Sequence, residues 1–450
     1  MLLREAIQSY HDLLNDDLAG ASHAQLEDQL RLRGLFFGQR ALSTVIRPRF
    51  ITIEQYRFLQ TRVQAVLRAF DTALQAALEQ GTIRDQFGLN DWEVDLVQHD
   101  PGFRAASPTS RIDTFFVTEA GGLRLTEYNA ETPAAQAYND ALTDVFYALP
   151  VMREYLRRFE VRALPARHTM MHVLLDSFQQ WSGTREAPHI AILDWREVPT
   201  YSEFLLFEQY FKSQGLKCLI ADPRDAEYRN GKLYFGETPV TLIYKRVLLS
   251  ELVERGGRDH PVIQAVRDRA VCMVNPFRCK ILHKKASLAV LSDERNDYLF
   301  NNAERKAIAD HIPWTRRVEE RHTTYRDQTV DLVPFILENR ERFVLKANEE
   351  YGGKGIILGW ETDEQAWVQA LQTALSEPFV VQERVAVPSE GYPSLVDGQL
   401  VITDRIMDTA PFAWYGDYID GCLTRLSTAA LVNVTAGGGS TVPTFLVDKR

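Results

Sequence analysis

Cysteines are few and long hydrophobic runs are missing, and both absences limit the classes of protein to which this 450-residue chain can belong. Its four cysteines are scattered without a Cys-x-x-Cys pair, which argues against a zinc or redox motif and against a disulfide framework. No run of about 18 apolar residues is present, so we expect no transmembrane helix and no membrane partner. The chain starts Met-Leu-Leu-Arg-Glu-Ala, without the apolar core of a signal peptide, so the cytoplasm is the expected location.

A surplus of positive charge and the common nucleotide-binding motifs are also missing. The net charge is −10, so a basic nucleic-acid surface is absent and we expect no DNA or RNA partner. There is no Gly-x-x-x-x-Gly-Lys-Ser/Thr P-loop and no Gly-x-Gly-x-x-Gly after a predicted strand. The second absence disfavours a nicotinamide-dependent oxidoreductase. The sequence carries no signal for a particular oligomeric state.

One stretch organises the rest of the interpretation, at residues 343–358. The apolar run 343–345 predicts a strand that ends with Lys346, and the run 356–358 predicts a second strand. Between them Gly352, Gly353 and Gly355 lack Cβ atoms, so backbone N–H groups can approach a ligand closely. Such a strand, loop and strand with lysines can fold over polyphosphate. The alternative is a plain hairpin with a solvated lysine.

A second predicted hairpin carries the candidate metal ligands. Residues 111–117 predict a strand, Gly121-Gly122 a turn and residues 123–129 the returning strand. Residues two apart share one face of a strand, so Arg111 lies beside Asp113, and Glu127 beside Asn129. Carboxylate and amide oxygens suit Mg²⁺, which also bridges to substrate phosphates. The alternative is a surface hairpin with charged cross-strand pairs.

Residues 1–88 are predicted to be helical, with the clearest helix at 56–80. Thr52 with Gln55 fits a capping box at its start, and Gly81 fits a C-terminal stop. Residues 168–172 place two histidines one helical turn apart, without a third ligand, which favours a helical pair over a zinc site.

Residues 188–250 predict a βαβ-like unit. Its expected parts are strands at 190–193, 217–221 and 240–244, a helix opened by a Thr200–Glu203 capping box, and a type I′ hairpin at 228–234. Asp194, Arg196 and Arg246 follow strand ends, where α/β sheets bind ligands, and are substrate-site candidates.

The last third of the chain holds further strands and basic residues. Asn275-Pro276 ends a strand and precedes a helix with basic residues near its start, where Lys284 and Lys285 are alternative phosphate ligands. Strands are expected at 379–385 and 400–407. Arg425 precedes a strand at 431–435 and a glycine cluster at 437–439.

The order and spacing of these motifs resemble the circularly permuted ATP-grasp ligases, and most of all the glutathionylspermidine synthetase group. The residues that carry the resemblance are Arg111-x-Asp113, Glu127-x-Asn129 with Thr132-Pro133, Asn275-Pro276 with Lys285, and Lys346 with its glycine loop. In the permuted group the metal strands precede the lysines that hold ATP. The resemblance covers roughly residues 100–450.

The resemblance implies a role for each matching residue. Asp113, Glu127 and Asn129 would bind Mg²⁺, and Arg111 and Arg425 would be catalytic. Lys285, Lys346 and the glycines 352, 353 and 355 would hold the phosphates of ATP. Gln382, Glu383 and Val385 would form the adenine hinge, mostly through backbone groups.

The implied fold is α/β (α+β), a circularly permuted ATP-grasp fold. Its expected parts are an N-terminal helical segment (1–90), metal-binding strands (91–165), a Rossmann-like preATP-grasp domain (166–270) and the ATP-binding part (271–450). The implied activity joins a small carboxylate to an amine. A catalytically inactive scaffold that binds nucleotide or a partner is the alternative.

Overall fold

The computed structural model describes residues 1–117, 122–350, 354–429 and 439–450. Several predicted features lie outside these residues: Gly121 of the hairpin turn, Gly352 and Gly353 of the glycine loop, the strand at 431–435 and the glycines at 437 and 438. None of the helices described combines the length and the apolar character needed to cross a bilayer.

The helices occur throughout the chain and cover the outer faces of the sheets. They are α1 (Leu2–Asp12), α2 (Asp16–Leu32), α3 (Ile53–Glu79), α4 (Gly81–Arg84), α5 (Asp91–Val97), α6 (Gln136–Ala148), α7 (Pro150–Tyr155), α8 (Arg167–Ser182), α9 (Tyr201–Ser213), α10 (Leu249–Gly256), α11 (Pro261–Arg267), α12 (Cys279–His283), α13 (Ala286–Ser292), α14 (Asn302–His311), α15 (Leu332–Glu338) and α16 (Glu364–Ser376).

The strands alternate with the helices in the first two thirds and dominate the last third. They are β1 (Phe36–Phe37), β2 (Arg40–Ala41), β3 (Arg49–Ile51), β4 (Thr109–Val117), β5 (Gly122–Asn129), β6 (Phe159–Ala163), β7 (His189–Leu193), β8 (Lys217–Ala221), β9 (Ala226–Arg229), β10 (Lys232–Phe235), β11 (Thr238–Val240), β12 (Leu242–Lys245), β13 (Cys272–Val274), β14 (Thr315–Arg317), β15 (His322–Tyr325), β16 (Gln328–Asp331), β17 (Phe343–Ala347), β18 (Ile356–Leu358), β19 (Phe379–Glu383), β20 (Ser389–Val396), β21 (Gln399–Met407), β22 (Ala410–Trp414), β23 (Tyr418–Ser427) and β24 (Ser440–Lys449).

A nine-stranded sheet forms the centre of the molecule. Its main order is β20-β21-β23-β22-β4-β5, and β24 joins it by pairing with β23, β3 and β6. One face packs against α1, α2, α6, α7 and α8. The other face packs against α3, α13 and α14. Because α3 and α14 cover the back of the β4–β5 hairpin, its polar front is left for a second sheet.

Two smaller sheets flank this centre. The parallel sheet β13-β12-β7-β8 packs with α10 and α11 on one side and α9 on the other. The antiparallel sheet β14-β19-β17-β18 packs its back on α15 and α16. A mixed α/β architecture is thereby confirmed, and the front of the antiparallel sheet faces the β4–β5 hairpin across a cleft.

Most local predictions are confirmed. The Thr52–Gln55 capping box opens α3, with both reciprocal hydrogen bonds formed. Asn230 and Gly231 have φ values of 52° and 68°, as a type I′ turn between β9 and β10 requires. The predicted hairpin that carries Lys346 forms as β17–β18. The predicted hairpin that carries the candidate metal ligands forms as β4–β5.

Five local predictions are wrong. Gly81 opens α4 instead of stopping α3, because the chain already turns out of the helix at Gln80, whose φ is −120°. Residues 1–88 are not all helical, since β1, β2 and β3 interrupt the helices and β3 pairs with β24. Thr200 makes no side-chain cap, because the Glu203 carboxylate instead accepts from the backbone N–H groups of Ala135 and Ala137.

The fourth error concerns the strand expected at 240–244. Thr241 divides it into β11 and β12, which belong to different sheets. The basic helix expected after Asn275-Pro276 is likewise two short helices, α12 and α13. Lys284 and Lys285 lie at the break between them, so their side chains leave the backbone in different directions from those of a continuous helix.

Candidate active site

The β4–β5 hairpin brings four predicted site residues into two cross-strand pairs. Asp113 lies opposite Glu127, and Arg111 lies opposite Asn129. The register shifts between Asp113 and Thr114, immediately after the first of these pairs. The strands therefore place a basic group, two carboxylates and an amide together at one end of the hairpin.

Asp113 is the most heavily bonded of these residues. Arg111 donates from Nε to Oδ1 (2.8 Å) and from Nη2 to Oδ2 (3.1 Å), and Arg425 donates from Nη2 to Oδ2 (2.6 Å). Burial alone would raise the pKa of Asp113, but Arg111 and Arg425 outweigh it and hold the pKa well below its usual range. Asp113 is therefore a carboxylate, and the two predicted catalytic arginines meet on it.

Asp408 is a site residue that the motifs did not identify. It is buried, and it accepts from the backbone N–H of Arg425 (2.8 Å) and from its Nε (2.7 Å). Burial and the nearby Asp113 carboxylate raise the pKa of Asp408, although Arg425 opposes the shift. The pairing of β21 with β23 creates this contact, and the 17-residue separation in sequence gives no hint of it.

The two predicted phosphate lysines both contact the β4–β5 hairpin. Lys346 Nζ donates to Gln382 Oε1 (2.7 Å) and to the carbonyl of Thr126 (3.1 Å). Lys285 Nζ donates to the carbonyl of Glu350 (2.6 Å) and lies 3.2 Å from Glu127 Oε1. Lys346 thus contacts the metal-ligand hairpin, and Lys285 contacts both this hairpin and the start of the glycine loop.

Charge and burial set the ionisation of these groups. Burial lowers the pKa of Lys346 to about 8, partly offset by Glu127. The pKa of Glu127 is lowered despite its burial, because Lys285 and Lys346 stabilise the carboxylate. At neutral pH the site therefore holds a carboxylate at Glu127 and an ammonium group at Lys346 that deprotonates more easily than usual.

The structure separates Lys284 from Lys285. Lys284 is buried, lies 2.8 Å from Glu93 Oε2 and also contacts Glu349, away from Glu127. Lys285, at the N-terminus of α13, is the lysine that reaches the predicted metal ligands. Of the two alternatives, the geometry favours Lys285 as a phosphate ligand.

The predicted hinge residues differ in what they offer. Gln382 lies in the middle of the antiparallel sheet, paired with Thr315 and Val344, and its side chain joins Lys346 to Thr315 Oγ1. The N–H of Glu383 donates to the carbonyl of Trp314 (2.8 Å), and its carboxylate accepts from Tyr325. Val385 follows the strand end and lines the cleft. The segment after β19 is therefore better placed for backbone recognition than Gln382.

A cleft of about 790 Å³ joins these groups, between the fronts of the antiparallel sheet and the nine-stranded sheet. Its apolar part is formed by Val344, Ile356, Leu358, Trp360, Val385 and Ile406. Its polar lining includes Asp113, Glu127, Lys346, Gln382, Asp408 and Arg425. The volume and the mixture of apolar and charged side chains suit a small-molecule ligand that has both apolar and anionic groups.

Gly355 lies at the foot of β18 with φ of 64°, a conformation that favours glycine. A Cβ atom there would lie 2.7 Å from the Cβ of Ala347. The close approach of the two strands behind the loop thus depends on Gly355. Its predicted contact with phosphate remains a prediction.

The predicted magnesium ligands can be tested against their chemistry. No group of three His, Cys, Asp or Glu side chains within the described ranges is arranged to hold a metal. The predicted set differs, since its third ligand is an amide. Asp113 Oδ1 accepts one hydrogen bond and keeps a second lone pair, and the buried side-chain nitrogen of Asn129 has no partner among the described residues. If the amide is turned, its oxygen takes that position. The residues fit a divalent cation.

The remaining candidates from the sequence lie elsewhere. Asp194 is buried at the end of β7, and Arg196 pairs with Asp225 on the surface. Arg246 is buried and bonded to Glu203. The His168 and His172 rings contact each other (Nε2 to Nε2, 3.1 Å) on the exposed side of α8. The described residues of the cleft include none of these five.

Comparisons with known proteins bear on the fold. No protein-family model matches the chain. A protein of Frankia casuarinae bears the name of a putative glutamate–cysteine ligase. The two sequences are 21% identical over an alignment of 463 positions, which covers 94% of this chain and 49% of the relative. The chain thus spans about half the length of that curated relative.

A solved structure matches over almost the whole chain. It is a glutathione synthetase-like effector from Globodera pallida in its apo form, with a TM-score of 0.62, 12% identity, and coverage of 96% of this chain and 98% of that one. The likeness shows a shared fold. A D-alanyl-alanine synthetase from Vibrio cholerae and a RimK-domain ATP-grasp protein from Sphaerobacter thermophilus give TM-scores of only 0.27 and 0.28, and no argument rests on them.

Proposed function

We propose that the protein is an ATP- and Mg²⁺-dependent carboxylate–amine ligase of the circularly permuted ATP-grasp type, similar to glutathionylspermidine synthetase. The observation that carries the proposal is the convergence of Lys285, Lys346, Asp113, Glu127 and Arg425 around one cleft. The shared fold with a glutathione synthetase-like effector and the name of the Frankia relative support it.

The proposal includes a division of the chain into parts. Residues 1–90 are the N-terminal segment, 91–165 supply the metal-binding strands, 166–270 form a Rossmann-like preATP-grasp domain, and 271–450 contain the ATP-binding sheet. The metal-ligand hairpin precedes the lysine strand in sequence, which supports the permuted order. We further propose small-molecule substrates and a cytoplasmic location.

The charged side chains of the cleft suit phosphoryl transfer. A substrate carboxylate attacks the γ-phosphorus of ATP, the bond to the β-phosphate oxygen breaks, and ADP and an acyl phosphate result. The Lys285 and Lys346 ammonium groups neutralise charge on the phosphates. The apolar walls around Ile356 and Ile406 hold the base, and the backbone near Val385 recognises its edge.

The second step forms the amide. An amine attacks the acyl carbon, the bond from that carbon to the phosphate oxygen breaks, and the proton lost by the amine passes to the departing phosphate. We propose that Arg111 and Arg425, which meet on Asp113, stabilise the oxyanion and the departing phosphate. Bound at Asp113, Glu127 and Asn129, Mg²⁺ would supply charge neutralisation and polarise the phosphoryl oxygens. No side-chain nucleophile takes part.

The alternative is a catalytically inactive scaffold that binds nucleotide or a partner. The ionised Glu127 and Asp113 and the two cleft lysines favour the ligase, since a scaffold has no need to hold both a metal set and the oxyanion arginines. Tight binding of ATP without ADP release across many acid and amine pairs would support the scaffold.

The first test is thermal stability with Mg²⁺ and ATP, on the wild type, Lys346→Ala and the control Lys306→Ala, whose side chain is 72% exposed. Saturation at about 100 times Kd adds about 2.7 kcal/mol of stability. We expect this stabilisation in the wild type and the control and its loss in Lys346→Ala. A screen of acids and amines for ADP release then separates ligase from scaffold. Absence of any shift in the wild type would contradict the proposal.

A further inference from the structure

A group of buried charges lies directly behind the candidate active site and has no part in the chemistry described above. We call it the lysine–glutamate cluster, and its members are Glu93, Glu131, Glu349, Lys245, Lys280 and Lys284. Lys280 and Lys245 lie 3.0 and 3.2 Å from Glu131, and Lys284 lies 2.8 Å from Glu93. The formal charges balance, as burial of this many ions demands.

Glu349 differs from the other two glutamates. The side chains of Glu93 and Glu131 are fully buried, whereas that of Glu349 is 25% exposed. Glu93 belongs to α5 and Glu131 follows the metal-ligand hairpin, but Glu349 follows β17 at the start of the glycine loop. Its two carboxylate oxygens contact Lys280 and Lys284 separately. Glu349 is thus the cluster's link to the loop.

Neighbouring contacts fix the same short segment. Asn348 Oδ1 accepts from the N–H of Ala286 (2.8 Å), and its carbonyl accepts from the N–H of Lys285 (2.9 Å). Lys285 Nζ donates to the carbonyl of Glu350. Three consecutive residues at the base of the glycine loop are therefore held by the connection between α12 and α13, the same connection that brings Lys285 to Glu127.

We propose that Glu349 is a positioning residue for nucleotide binding: its contacts with Lys280 and Lys284 hold the loop base, residues 348–350, against the connection that carries Lys285. The inference rests on the proposed function, because it requires that Lys285 binds phosphate. Loss of the Glu349 charge frees the loop base, so that binding of Mg-ATP must order it at a cost in affinity.

The low pKa of the carboxyl group agrees with this geometry. Burial opposes ionisation of Glu349, yet Lys280 and Lys284 outweigh it and lower the pKa to about 2. The contact therefore persists across the range in which the protein is assayed, and the loop base stays held without a ligand.

Glu93→Gln is the matched control for Glu349→Gln. Either change removes one negative charge from the cluster and takes a partner from Lys280 and Lys284, but only Glu349 belongs to the loop. We expect both variants to lower the melting temperature. We expect Glu349→Gln to raise the Kd for Mg-ATP about tenfold, the factor that corresponds to about 1.4 kcal/mol, and Glu93→Gln to leave it within about twofold.

The double variant Glu349→Gln/Lys284→Met separates stability from positioning. Removal of one lysine restores the charge balance, so we expect the melting temperature to recover in part while the Kd stays high. If the double variant recovers both, or if Glu93→Gln and Glu349→Gln weaken ATP equally, Glu349 is only structural and the inference is wrong.

Two further outcomes keep the test conclusive. If Glu349→Gln does not fold, Glu349→Ala in the Lys284→Met background removes the carboxylate with the charge balance kept, and an unchanged Kd in that variant would contradict the inference. If the wild type itself does not bind Mg-ATP, the proposed function fails first. A wild type that binds, with a Glu349→Gln variant that binds equally well, overturns the positioning role alone.

Discussion

Arg425 lies between two buried carboxylates, Asp113 and Asp408, with its side chain 18% exposed. Replacement by alanine leaves these carboxylates without their shared cation and removes one of two proposed oxyanion donors. We expect Arg425→Ala to lower ADP formation about 100- to 1,000-fold. Arg157→Ala, at a 75% exposed side chain, is the control. Turnover at the wild-type rate in Arg425→Ala would contradict the assignment of Arg425.

The proposed role of Lys346 as a phosphate ligand predicts that nucleotide affinity depends on pH. Its pKa is lowered to about 8, so the free protein loses this proton as the pH rises through that value. Bound phosphate favours the ammonium form, so binding takes up a proton above about pH 8, and affinity falls by up to about tenfold per pH unit. We expect the Kd of Mg-ATP to rise from about pH 7 to about pH 9.

The variant Lys346→Arg tests the origin of that pH dependence. A guanidinium group stays charged throughout the range, so its Kd changes less with pH even if the affinity itself is lower. Isothermal titration of both proteins at several pH values makes the comparison. A wild-type Kd that does not change between about pH 7 and about pH 9 would show that Lys346 is not a phosphate ligand, or that its pKa is not lowered.

At the scale of elements, the foot of the glycine loop depends on Gly355. Its φ is positive and its Cβ position lies 2.7 Å from Ala347 Cβ, whereas Gly398, with φ of 77°, has nothing within 4 Å. In both Gly→Ala variants the left-handed backbone conformation costs about 1 kcal/mol of stability. We expect Gly355→Ala to lose more stability, because β17 and β18 must also move apart, and to weaken Mg-ATP binding.

Gly398→Ala is the control that measures the cost of the left-handed backbone conformation alone. It lies in the turn between β20 and β21, away from the described residues of the cleft. Melting temperatures and Kd values for the two variants give the comparison. Equal losses in both variants, with equal affinity for Mg-ATP, would show that the close approach at Gly355 has no consequence.

The element scale also shows what the sequence can and cannot predict. The pairing of β4 with β5, the Asn-Gly turn between β9 and β10 and the capping box of α3 depend on residues close in sequence, and these predictions are confirmed. The prediction of one strand at 240–244 was wrong, because the N–H of Thr241 donates to the carbonyl of His189 and the carbonyl of Thr241 accepts from the N–H of Cys272. Those partners are distant in sequence, so no local pattern reveals the change of sheet.

The same limit applies to the site. The predicted residues Arg111, Asp113 and Glu127 are close together, since short motifs on two adjacent strands placed them, and Lys346 lines the same cleft from another sheet. No spacing argument supported Asp408, which the sequence offers with Asp417 only as a possible further site member, and Glu349 was missed, because their partners come from another strand or helix through tertiary pairing. Thr200 and Glu203 fit a capping-box pattern, but the buried N-terminus of α6 takes the carboxylate instead.

At the scale of the molecule, β24 holds distant parts of the chain together. It pairs with β23, with β3 from the N-terminal segment and with β6. Phe445 is fully buried in this strand, opposite Phe50 and Ala163, and its ring centroid lies 4.7 Å from that of Tyr147. The core between the central sheet and the N-terminal helices therefore depends on one strand.

We expect Phe445→Ala to destabilise the whole molecule by about 3 to 5 kcal/mol, the usual cost of truncating a buried phenylalanine. Because β24 joins β3, β6 and β23, the N-terminal helices and the central sheet should unfold together, so that circular dichroism and tryptophan fluorescence give the same lowered melting temperature. Tyr298→Ala, at a 68% exposed side chain, should change stability by no more than about 0.5 kcal/mol. Two separate transitions, only one of them shifted, would show that the N-terminal segment folds independently of the sheet that carries the cleft.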